Sequence, residues 1–234
     1  MHLSEGILPL KQIVLSSSLA IPFVVDSYRK YKSSVKSANK DSKKPFFTMA
    51  IAMCFAVTLL PIPVPVAGAS SHMCATPVLS LILGARIMPF SVMAILLLQA
   101  VFFAHGGITT LGANVLTLGV VGPFVTLLTL KTLRCCKTSG AVAIAIACFL
   151  GSISVYFADS LILSWSLAHK QAFTETFKVV SLGFLPVQVP LSLLEAVLSS
   201  SVVVYLSKFR EDFVPSSIFK MLYGEKLLTQ TTAK

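Results

Sequence analysis

The stretch YRKYKSSVKSANKDSKK, residues 28–44, carries seven Lys or Arg against a single acid, Asp41, and stands between two apolar runs, Ile13–Val25 and Phe46–Leu60. Its serines and Asn39, with no aromatic after Tyr31, read as a solvated linker and not as a nucleic-acid patch. Basic residues flanking apolar runs collect on the cytoplasmic side of a membrane. The block is therefore expected inside the cell, with a crossing on each side of it. Composition agrees: of 234 residues, 55% are hydrophobic and only 12% charged, too apolar for a water-soluble domain. The net charge of +10 lies in short blocks between apolar runs, so the bilayer is the expected partner and nucleic acid is not.

Working outward, the pattern predicts an all-α polytopic membrane protein of about seven transmembrane helices, forming one domain over residues 1–234. The expected spans are Ile13–Val25, Phe46–Leu60, Thr76–Arg86, Met88–Ala104, Ile108–Leu130, Ala141–Leu163 and Leu185–Leu206. Residues 28–45 form a cytoplasmic loop and 207–234 a cytoplasmic tail, with the amino terminus outside. On this topology sixteen of the nineteen basic residues lie inside, and only Lys11, Lys170 and Lys178 outside. Thr76–Arg86 is short against the ~20 helical residues of a crossing, so it is tilted or lines a recess. Ser164–Leu185 reads as an amphipathic connector lying flat outside, with Phe173, Phe177 and Val180 on one face. Ile13–Val25 lacks the basic start of a secretory signal, because Lys11 follows Glu5, and is expected to be a retained first helix.

Within this frame a few residues carry chemistry. A histidine at position two lets the amine of Met1, the intervening amide and the imidazole of His2 close two rings around one ion. His72 can supply a fourth nitrogen, and an all-nitrogen set favours Ni(II) or Cu(II). His72 lies at the end of the stretch PIPVPVAGASSHM, residues 61–73, whose alternating prolines forbid a helix and whose backbone must be buried in protein or line a cavity. Cys74 opens a rival site of softer character for Zn or Cu(I). The five cysteines are odd in number and show no CxxC, and they read as small apolar packers. Gly112, Ala113, Gly119 and Gly122, and the alanines at 141, 143, 145 and 147, read as close helix contacts. Gln99 and Asn114 are expected to join helices through hydrogen bonds. Asp159 is placed near the outer end of its span, either solvated there or functional. Glu195 sits mid-span, either supporting a site or packing helices. His105 either supports the ligands or caps a turn, and His169 is expected to be exposed. No GxxxxGK[ST], HExxH or GxSxG occurs, so the chain reads as neither a P-loop ATPase nor an enzyme, and any energy must come from partners.

Four stretches resemble one family. MHLSEGILP at the start is similar to the MHIPEGFLP-type start of the CbiM/NikM proteins, and GASSHM, residues 68–73, resembles their second histidine motif. LLLQAVFFAHGGITTLGAN, residues 96–114, and VPLSLLEAVLSSSVVVYL, residues 189–206, resemble their long signature and last helix. Ser4 departs from a common proline and Ala196 from the usual glycine after Glu195; neither removes a candidate ligand. The resemblance implies a seven-helix substrate-binding (S) subunit of an energy-coupling-factor importer, multi-pass in the cell inner membrane, with Ni2+ or Co2+ as transported substrate and no organic cofactor. It implies metal ligands from Met1, His2 and His72; His105 and Glu195 are candidate supports by their own placement. It implies as partners ATPase subunits, a transmembrane coupling (T) subunit and a small accessory membrane subunit. The alternative is an autonomous secondary permease or channel, which uses intramembrane charges along a path and often carries inverted repeats. No such repeat is visible here.

Overall fold

A computed structural model of the protein describes residues 3–37, 43–64, 70–136, 138–168, 172–210 and 213–223. Met1, His2 and His169 lie outside these residues. The helices are α1 Leu10–Ser37, α2 Lys43–Thr58, α3 over residues 76–84, α4 over 85–103, α5 Leu111–Cys135, α6 Gly140–Leu167, α7 Phe173–Phe209 and the short α8 Ser216–Tyr223. Among the described residues five helical runs are long and apolar enough to cross a membrane: Leu10–Ser34, Thr76–Phe103, Leu111–Cys135, Gly140–Leu167 and Phe173–Phe209. Pro45–Thr58 is a shorter apolar helix.

The sidedness of each helix is that of a membrane bundle. On α7, Leu193, Leu194 and Val197 are exposed while Ser192, Glu195 and Ser199 are buried. Water would reverse that arrangement; lipid favours it, because tails solvate leucine and leave small and polar groups to make the helix contacts. The four alternating alanines do not act alike. Ala143 and Ala147 are buried at 0% exposure with Gly151 on the same face, whereas Ala141 points outward. The helical period of 3.6 selects every fourth residue, not every second.

The run Thr76–Phe103 is not one straight rod. Gly84 takes φ +93° and ψ 132°, outside the helical region, and the segment before it packs back against α4. At ~1.5 Å per residue α3 is only about 13 Å long, far less than the ~30 Å hydrocarbon core. Residues 76–83 are all buried. Neighbouring helices therefore enclose this short segment on all sides.

Two expectations are corrected. The basic stretch after Val25 is helical through Ser37 instead of opening into a linker. No Gly or Pro interrupts it, and its Tyr28 and Tyr31 rings rest on Phe90 with centroids 5.1 and 5.3 Å away. Asp26 accepts from Arg86 at 2.6 Å, joining this end of α1 to the start of α4. The flat outer connector is also absent, since residues 173–185 are the first turns of α7 and pack along α6. Phe177 meets Phe157 edge-on at 5.6 Å and Phe184 meets Tyr156 at 5.7 Å. A helix covers Val180 and part of Phe177, while Phe173 stays exposed. At ~1.5 Å per residue, the 37 residues of α7 extend about 55 Å and pass beyond the hydrocarbon core.

Candidate functional site

Between α2 and α3 the prolines do what their ring dictates: Ile62–Pro63 and Ser70–Ser71 form a two-residue antiparallel ladder, not a helix. That ladder directs Ser71, His72 and Cys74 into the bundle, each at 0% exposure. His72 Nδ1 lies 2.8 Å from the carbonyl of Met73. A carbonyl only accepts, so Nδ1 carries the proton and Nε2 the lone pair, the neutral tautomer that a metal requires. The ring of His105 stands edge-on to His72 with centroids 5.7 Å apart. His105 follows Ala104, which ends α4 in the left-handed region at φ 49°, and its N–H bonds back to Gln99 O at 3.2 Å, closing the helix end. Burial holds the His105 imidazole below its usual range, and the accepting carbonyl of Thr58 acts in the opposite sense.

Glu195 and Gln188, on one face of α7, hold the His72 segment from both flanks. Glu195 Oε1 accepts from the Ala75 N–H at 2.6 Å and Oε2 from the Cys74 N–H at 3.1 Å; the Ser152 hydroxyl adds a bond to Oε2 at 2.9 Å. Ser71 donates to Gln188 Oε1, and Gln188 Nε2 reaches Ser192 at 3.2 Å. Glu195 therefore holds the backbone that follows His72.

A second anchor fixes the start of the chain. Leu3 is 0% exposed; its N–H donates to Asn114 Oδ1 at 2.9 Å, and its carbonyl accepts from Thr110 Oγ1 at 2.7 Å and Asn114 Nδ2 at 3.2 Å. Its side chain packs with Val64 of the His72-bearing segment and with Phe184 of α7. Glu5 accepts from the N–H and hydroxyl of Thr109, which holds its carboxyl below the usual range. A Cβ on Gly107 would stand 2.7 Å from Glu5 Cα, so the second glycine of HGG is the space the amino-terminal segment occupies.

Other assignments change. Asn114 secures the amino-terminal segment where a helix-to-helix bond was expected; Gln99 does join helices, donating to Thr58 Oγ1 at 2.7 Å. Asp159 is buried at 0% exposure beside Thr117, so its expected solvation is corrected. Its side chain follows the inward face of α6 shared with Ser152 and Val155. Cys74 packs with Val92, Leu96 and Val155, and burial pushes its thiol up to about 12. Among the described residues no three His, Cys, Asp or Glu side chains gather into a metal cage. Of the candidate ligands the structure describes His72 and places His105 and the Glu195 clamp around it. Gln188, Ser192 and Glu195 recur at helical spacing inside an apolar run, a signal that could have marked the clamp. The Glu5–Thr109 and Leu3–Asn114 contacts leave no local sequence pattern.

The family model for CbiM, the cobalt uptake substrate-specific transmembrane region, matches residues 2–213. The chain belongs to the CbiM family. Among CbiM proteins, the cobalt transport protein of Geobacter sulfurreducens is 35% identical over 214 residues, covering 92% of this chain and 61% of the relative, so this chain spans about three fifths of that protein's length. The cobalt transport protein CbiM of Sorangium cellulosum is 35% identical over 219 residues, covering 92% of this chain and 94% of the relative. A solved transition metal transporter superposes with TM-score 0.79 at 24% identity, covering 95% of this chain and 98% of its own. The S-component for biotin of an ECF-type ABC transporter shares the fold at TM-score 0.56 and 19% identity, covering 76% of this chain and 100% of its own. CbiM is a transport family, so this is a multi-pass protein of the cell membrane and not an enzyme.

Proposed function

We propose that this chain is the substrate-binding membrane subunit of an ATP-driven energy-coupling-factor importer that carries Ni2+ or Co2+. The observation that carries this reading is the convergence of two buried elements. His72 is held in the tautomer whose Nε2 carries the lone pair, and the amino-terminal segment is locked at Leu3 into the cluster containing Val64 of the same loop. Met1 and His2 directly precede Leu3, and their amine, amide and imidazole complete the donor set with His72. Four nitrogens, one of them an ionised amide, suit Ni(II) first and Co(II) second. The amino terminus faces outside, where the ion is captured. Energy comes from ATPase subunits through a transmembrane coupling subunit, with a small accessory membrane subunit beside them.

The test is titration calorimetry with Ni(II) on purified protein. One residue added before Met1 converts the amine to an amide and abolishes tight binding, as do His2→Ala and His72→Ala, while an added residue after Lys234 leaves it unchanged. Affinity rises with pH because chelation releases protons. Full affinity in the Met1-extended protein removes the amine from the site and overturns this donor set.

A further inference from the structure

We propose that Gln188 and Glu195 are positioning residues that tie the placement of His72 to the last long helix, so that the ion site opens when α7 shifts. The inference rests on the role of His72 proposed above. Both side chains are at 0% exposure in the middle of a membrane helix, where leucine costs nothing and a glutamine or carboxylate is expensive unless it is used. They are seven residues apart, two turns or about 10.5 Å along one face. Gln188 takes the residue before His72, and Glu195 takes the two backbone N–H groups beyond Met73. Ser192 lies between them and meets Ser152 of α6 at 2.9 Å, so the grip is continuous and braced against the neighbouring helix.

Two further features give the grip a mechanical sense. Ala75 sits in the left-handed region at φ 54°, unfavourable for a residue with a Cβ, and the 2.6 Å bond its N–H donates to Glu195 holds it there. Releasing that bond frees the backbone two residues beyond Met73 to relax. Pro186 and Pro190 flank Gln188, and each removes a backbone donor inside α7. The helix is weakened where it holds the loop, so a bend there draws Ser71 away from Cys74 and Ala75 and displaces His72.

Ni(II) calorimetry and the ligand-field absorption band of the bound Ni(II) test this on the full chain, with the thermal midpoint recorded for each variant. In Glu195→Gln one oxygen becomes an N–H donor facing a backbone N–H, and in Gln188→Leu the bond to Ser71 is lost. Each is expected to weaken Ni(II) roughly 10–100-fold and to shift the band. Glu195→Asp recovers part of both. Ser27→Ala, which removes a buried hydroxyl bonding Ile87 O far from His72, lowers the midpoint but leaves affinity and band unchanged. Should Glu195→Gln fail to fold, Ser152→Ala retains the carboxylate, and a smaller shift in the same direction supports the proposal. Wild-type affinity and band in both Glu195→Gln and Gln188→Leu, with binding still abolished by His72→Ala, overturn this inference alone. Wild-type binding in His72→Ala overturns the site itself, and this inference with it.

Discussion

At Gly84 and Gly107 the same residue type answers two different demands, and the difference is measurable. Gly84 has φ +93° with no atom within 4 Å of the place a Cβ would take, so Gly84→Ala costs backbone strain alone, roughly 1–3 kcal/mol, read as a lower thermal midpoint with Ni(II) affinity unchanged. At Gly107 a Cβ meets Glu5 backbone at 2.7 Å, so Gly107→Ala displaces the amino-terminal segment and weakens Ni(II) about tenfold, by calorimetry. Glu5 itself carries a pH signature. Its folded pKa is depressed by the Thr109 hydroxyl, so the unfolded state binds the proton more readily, and the stabilisation is full above about pH 4.3 and lost as pH falls through the folded value. Thermal midpoints measured from pH 7 down to 3 should fall more steeply for wild type than for Glu5→Gln in that window. Because Glu5 is almost wholly exposed, the difference is small.

Among the elements, α7 does the most that its sequence conceals. Its first turns carry Phe173, Phe177, Val180 and Phe184, an apolar stripe that suits a membrane surface as well as a neighbouring helix. Packing against Phe157 and Tyr156 of α6 decides for the helix. Phe177→Ala and Phe184→Ala should therefore destabilise by about 3–5 kcal/mol for the fully buried Phe184 and less for Phe177, as measured by thermal unfolding in detergent. A connector lying on the lipid surface predicts near-equal and small losses for both. The composition of α3 concealed less: its unusual shortness was legible from length, and Gly84 supplies the turn between it and α4.

For the whole molecule, orientation in the membrane follows the distribution of Lys and Arg. Reporter fusions after Lys40 and after Lys234 should both report the cytoplasm, as the sixteen-to-three split of basic residues requires. An external signal from either position rejects an outer amino terminus, and with it capture of the ion from outside. The continuous helix through Ser37 is compatible with the same side assignment, since a helix longer than the core carries its basic end past the headgroups.

Sequence alone determined the membrane class, the existence of the helical segments though not the lengths of α1 and α7, and the histidine and HGG motifs, because each is written in neighbouring residues: apolar runs, basic flanks, proline alternation. Tertiary structure alone decided which polar groups meet. Leu3 finds Asn114 across 111 positions, Ser71 finds Gln188 across 117, and Ala75 finds Glu195 across 120. Inside a bilayer each of these donors and acceptors must be satisfied within the protein, which forces such pairings without specifying them locally. Residues so far apart leave no periodicity to read, and only the packing of α5, α6 and α7 around the His72 loop selects the partners.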